Sequence, residues 1–86
     1  MKAWKSPAEE VKDLIRDEME ARGYRNIRIN APENMGIVDR EALRAGHEVN
    51  GWTATVFGTF CGTRERKTAT VHYDYAVHNA RYFSIR

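Results

Sequence analysis

Covalent and metal chemistry have little to work with in this chain of 86 residues. There is one cysteine, Cys61, so no internal disulfide can form, and a reducing compartment is expected. Cys-x-x-Cys and His-Glu-x-x-His spacings are absent, so neither a metal nor a cofactor is expected. The glycines are scattered, with no Gly-x-Gly or phosphate-loop spacing. No apolar run approaches the ~20 residues that a membrane helix needs. Met1 to Lys5 lead into charge rather than an apolar stretch, so no secretory leader and a cytoplasmic location are expected. The length leaves room for one domain, residues 1–86, and excludes a Rossmann fold or an α/β barrel. Charge of one sign is scarce too. The net charge is +2, and residues 1–46 hold nine basic and nine acidic side chains against five and three in residues 47–86. A dedicated nucleic-acid binder concentrates its basic residues more than that.

What is present is the composition of a folded soluble domain, 42% hydrophobic and 30% charged. Arginine outnumbers lysine ten to four, a bias that suits interfaces because guanidinium groups form bidentate, partly desolvated pairs. Ser6-Pro7-Ala8-Glu9 carries a helix start: a capping serine, proline at the first helical position and a glutamate three residues after the cap. Val11, Leu14, Ile15 and Met19 recur at helical spacing, Glu18 and Arg22 form an i,i+4 pair, and Gly23 is placed as a left-handed terminator with Tyr24 folding back on Met19. A helix is predicted over 7–22.

Arg25 to Ile29 alternate as a short strand, and Asn30 to Gly36 read as a loop. For residues 39–46 two readings stay open: Asp39 caps a short helix that Gly46 ends, or Leu43, Ala45, His47 and Val49 alternate as a strand. Asn50-Gly51 is a two-residue hairpin signal. From Trp52 the pattern has period two. Trp52, Ala54, Val56, Gly58 and Phe60 share a face, as do Ala69, Val71, Tyr73, Tyr75 and Val77. A turn centred on Arg64-Glu65 sets Trp52 opposite Val77, Ala54 opposite Tyr75, Val56 opposite Tyr73, Gly58 opposite Val71 and Phe60 opposite Ala69, which matches the apolar faces along the hairpin. A second turn at Asn79-Ala80-Arg81 brings Phe83 opposite Val77, Ile85 opposite Tyr75 and Asp74 beside Arg86. The expected fold is α+β: one N-terminal amphipathic helix packed across a curved antiparallel sheet of three to four strands, with Gly58 letting the long strand bend. This order resembles the layout of cystatin-like folds in pattern alone.

No catalytic group is expected. In that register Cys61 faces Thr68, on the order of 13 Å from His72 at ~3.3 Å per residue, too far for a thiol–imidazole pair. His72 and Asp74 are neighbours on the outer face, but His78 lies two pleats on, and the residues facing them, Phe57 and Thr55, are poor metal ligands. The helix carboxylates Glu9, Glu10, Asp13, Asp17, Glu18 and Glu20 form a solvated helix side. Tyrosine and tryptophan fill a small core, with a small-ligand pocket between helix and sheet as the alternative. The outer sheet face is the most informative surface. It holds Thr53, Thr55, Phe57 and Thr59 on one strand, and Thr68, Thr70, His72, Asp74 and Ala76 on the next. Interface cores are poor in charge and rich in aromatics, so Thr55, Phe57, Thr70, His72 and Tyr82 are the expected partner-binding residues. The alternative is a nucleic-acid binder with Arg64, Arg66 and Lys67 at a hairpin tip, extended by Arg25, Arg28, Arg81 and Arg86, with Phe57 and Tyr82 to stack on bases. Asp74 in the middle of that face opposes it. The expected function is a small non-enzymatic protein-binding module that occupies a surface of a larger protein or of a second copy. Size and the lack of motifs fit a bacterial or phage-encoded inhibitor of a larger machine, an anti-CRISPR-like blocker.

Overall fold

A computed structural model describes residues 5–86; residues 1–4, on which the absence of a leader was read, lie outside the described residues. The order is α1 (Pro7–Ala21), β1 (Arg25–Ile29), β2 (Glu33–Ile37), α2 (Arg40–Arg44), β3 (Val49–Phe60), β4 (Thr63–Asp74) and β5 (Asn79–Ile85). One antiparallel sheet runs β1-β3-β4-β5, and β2 pairs with the remaining length of the β3 edge that β1 occupies. The helix-on-antiparallel-sheet layout is the expected α+β one, with one strand more.

Local chemistry forms α1. The Ser6 side chain accepts from the Glu9 N–H at 3.2 Å, and Pro7 opens the first turn. Arg22 donates to Glu18 at 3.3 Å as the expected i,i+4 pair. At the C-terminus the Gly23 N–H donates to Glu20 and the Tyr24 N–H to Met19, a closure that requires the left-handed φ of +91° at Gly23. Val11, Ile15 and Met19 are fully buried against a core of Ile29, Trp52, Ala54, Val56, Ala69, Val71 and Tyr73. Fully burying a Val, Ile or Met side chain is worth about 1.5–3 kcal/mol, so this stripe carries much of the helix's attachment.

Four expectations are corrected. The β3–β4 turn is Cys61-Gly62, not Arg64-Glu65, and pairs Trp52 with Val71, Ala54 with Ala69, Val56 with Lys67, Gly58 with Glu65 and Phe60 with Thr63. Opposed residue numbers sum to 123 instead of 129. The offset of six is even, so every residue keeps its face while changing its partner. Both turn residues have positive φ, 50° at Cys61 and 81° at Gly62, the requirement of a type I′ hairpin.

Second, β4 stops at Asp74, and residues 75–78 form the next turn; Val77, expected in the core, is exposed there. Phe83 therefore sits opposite Val71 and Ile85 opposite Ala69, while Arg86 pairs with Thr68 rather than lying beside Asp74.

Third, the segment read as a loop contains β2, which pairs Glu33 with Thr53 and Ile37 with Asn50 around a bulge near Gly36. Asn50-Gly51 accordingly lies inside β3, paired on both sides. Glycine is needed there: a Cβ at Gly51 would come within 2.8 Å of the Val38 side chain.

Fourth, Gly58 faces Glu65 rather than Val71, and it permits a close approach. A Cβ there would lie 2.9 Å from the Tyr24 ring and 3.1 Å from the Met19 methyl. For residues 39–46 the helical alternative holds: Asp39 accepts from the Ala42 N–H at 2.9 Å, and Gly46 has φ +88°.

Candidate functional site

Pleating puts Thr53, Thr55, Phe57 and Thr59 of β3 on the face away from α1, with Arg64, Arg66, Thr68, Thr70 and His72 of β4. Register carries the same face onto Arg28 of β1 (opposite Phe57), and onto Tyr82 and Ser84 of β5 (opposite His72 and Thr70). All five expected partner-binding residues, Thr55, Phe57, Thr70, His72 and Tyr82, share this open face. Its two ends differ in chemistry.

At one end Arg28, Phe57 and Arg66 form a row across three strands. The Arg28 guanidinium lies 5.7 Å from the centre of the Phe57 ring. Arg64 follows toward the turn, donating to the Asn26 carbonyl at 2.5 Å, and Arg86 sits opposite Thr68 one pleat the other way. Among the described residues Arg28, Arg66 and Arg86 have no carboxylate partner. The expected trio of Arg64, Arg66 and Lys67 is split by the pleat. Lys67 faces the helix side and is paired with Glu65 at 3.4 Å, and neither arginine is at the tip. Tyr24 donates to the same Glu65 at 2.9 Å; that bond, with desolvation, pushes the phenol above its ordinary pKa.

At the other end the His72 and Tyr82 rings lie 4.8 Å apart, and Val38 and Met35 lie over Gly51 beside His72. Met35 is 64% exposed and Tyr82 46%, with Ile37, Val38 and Leu43 also open to solvent. A shallow cleft of about 270 Å³ at the edge is lined by Asn30, Ala31, Glu33, Thr53 and Thr55. Sequence reasoning placed His72 and Tyr82 here but missed Met35 and Val38, because β2 was read as loop.

Asp74 is not in the middle of the face. It ends β4 fully buried, accepting from His47 Nδ1 at 3.0 Å, the Ala76 N–H at 2.9 Å and Arg81 at 2.7 Å, with Asp39 on the far side of Arg81 at 3.7 Å. Burial alone would raise its pKa; the hydrogen bonds from His47 and Ala76 and the Arg81 charge outweigh it and hold the carboxyl below its usual value. Its charge is spent inside this cluster. Ala76, also expected on the face, is in the turn. His47 is 27 residues from Asp74 in the chain, so no local pattern announces their pairing.

The groups weighed for catalysis and metal binding are dispersed. Cys61 is in the β3–β4 turn, while His72 is near the far end of β4. His78 lies 3.5 Å from the Tyr73 hydroxyl, which also donates to Glu10 of α1. No group of three or more His, Cys, Asp or Glu side chains arranged for a metal occurs among the described residues. None of the described helices is long and apolar enough to cross a membrane. No family model, curated protein or solved structure matches this chain.

Proposed function

We propose that the chain is a small non-enzymatic binding module, cytoplasmic in location, that works by laying its open sheet face over a larger protein and occluding it. The observation that carries this reading is the uncovered face itself. Threonine forms its middle, His72 and Tyr82 lie with exposed Met35 and Val38 at one end, and at the other Phe57 stands among arginines that have no carboxylate partner among the described residues. A lightly charged surface that carries aromatic rings, methionine and arginine has the residue types enriched at protein interfaces. The arginines select the partner's chemistry: an apolar patch bordered by acidic groups. A second copy of the chain fits less well, since face-to-face stacking at this end would set guanidinium groups against each other. A bacterial or phage-encoded inhibitor of an anti-CRISPR-like kind is the biological setting that this mode of action suits.

The test is selective loss of capture. Wild-type protein immobilised in a host lysate is expected to retain a partner that Phe57→Asp and Tyr82→Asp both release and that Lys12→Glu, on the helix, leaves bound. Retention by both face variants overturns the reading.

A further inference from the structure

We infer that the basic end of the open face is a contact site for single-stranded nucleic acid. This inference rests on the reading that the open face is the working surface, and it extends that reading to a partner that carries nucleic acid.

Three observations converge. The overall charge of +2 conceals a segregation: α1 carries Glu9, Glu10, Asp13, Asp17, Glu18 and Glu20 against Lys12 and Arg16 on one side of the sheet, while Arg28, Arg64, Arg66 and Arg86 collect on the other. Asp74, the acid expected to oppose a polyanion here, is buried and neutralised at the opposite end, where Asp39 is paired with Arg81; Glu33, beside Thr53 at the edge, stays on this face. Phe57 stands between Arg28 and Arg66 in one row, about 10 Å across three strands at ~4.8 Å spacing. An aromatic ring flanked by unpaired guanidinium groups on a sheet lets a splayed base stack while its flanking phosphates are neutralised. A second aromatic pair, His72 and Tyr82, lies three pleats farther, about 20 Å, along the same face. Bases inside a duplex are already stacked on each other, so this arrangement selects a single strand. Threonine hydroxyls between the two aromatic positions offer donors to phosphate or sugar without adding charge.

The experiment is fluorescence anisotropy with labelled single-stranded RNA and DNA of about twelve nucleotides, with a duplex of the same sequence and heparin as comparators. With three unpaired arginines on phosphates, affinity is expected to fall about 20-fold between ~50 and ~200 mM salt. Arg28→Glu with Arg66→Glu abolishes binding, Arg66→Ala weakens it, and Phe57→Ala costs on the order of tenfold through lost stacking. Lys12→Glu on α1 changes nothing. Equal binding of duplex or heparin, or indifference to Phe57→Ala, overturns the inference, because the surface would then be a generic cation. Absence of oligonucleotide binding while the lysate partner is still released by Phe57→Asp also overturns it, and leaves the protein-docking reading standing. Oligonucleotide binding without a captured protein separates the two the other way.

Discussion

The two faces of the sheet are built from the same strands by alternation, yet they obey different rules. On the covered face packing against α1 governs the choice along most of its length: Val56, Ala69 and Val71 are fully buried beneath Val11, Ile15 and Met19, with Lys67 and Glu65 paired nearer the turn. On the open face packing within the described chain constrains little beyond Gly51 beneath Val38, and the other residues there are mainly threonine, arginine and aromatic rings. A face free of packing constraints would ordinarily fill with lysine and glutamate for solubility. The contrast is the basis for the proposal that the open face is the working surface.

The sharpest way to test the contrast is substitution on each face in turn. Ile15→Ala on the covered side is expected to cost about 2–5 kcal/mol, read as a fall in Tm of roughly 10 °C or more. Thr55→Ala or Thr70→Ala on the open side is expected to stay within about 0.5 kcal/mol. Equal losses on both faces would mean that the open face is also packed. Gly58→Ala comes next, at about 1–3 kcal/mol, because the added Cβ meets Tyr24 and Met19 at once. Denaturant unfolding of Gly58→Ala beside Tyr24→Ala/Gly58→Ala checks this: removing the ring should recover part of the loss.

Acid separates the faces in another way. Asp74 holds its carboxyl below the ordinary value in the folded chain, so its ionised form contributes stability above the unfolded pKa of about 3.9. That contribution drains away as pH falls through the lower folded value. Asp74→Asn is therefore expected to lower Tm at pH 7 and to flatten the decline in Tm below about pH 4; an unchanged acid profile would remove the cluster from the account. One substitution is expected to give a small gain. Cys61 occupies a left-handed position at φ 50°, which asparagine tolerates better, so Cys61→Asn is expected to add about 0.5–1 kcal/mol, read as a rise in Tm.

What could be read in the sequence follows from how far each signal reaches. The caps of α1 are satisfied within four residues of each end, so Ser6, Pro7 and Gly23 mark them openly. The faces of β3 and β4 depend only on odd and even position, so they were legible although the register was not. Register depends on which residues turn. A left-handed cysteine before Gly62 carries a weak signal, and the Arg64-Glu65 alternative gave a fuller match of apolar partners. The observed pairing of Val56 with Lys67 and Gly58 with Glu65 is completed instead by Tyr24, which hydrogen-bonds Glu65. Asn50-Gly51 shows the reverse case, a strong local turn signal overridden by Val38 lying over the glycine. β2 is a five-residue edge strand held by backbone pairing, with Met35 and Ile37 exposed and Pro32, Asn34 and Gly36 giving the stretch the composition of a loop. With it went the exposed Met35–Val38 end of the candidate site. The basic end was half legible: Arg64, Arg66 and Phe57 stood out, but only the observed register brings Arg28 and Arg66 to either side of the ring.

The central claim is that binding takes place on the side of the sheet away from α1. Amide chemical-shift mapping on addition of a single-stranded oligonucleotide tests it most directly. The account expects shifts concentrated at Arg28, Thr53–Phe57, Arg66–His72 and Tyr82–Arg86, with Pro7–Ala21 unmoved. Shifts centred on α1 would contradict it.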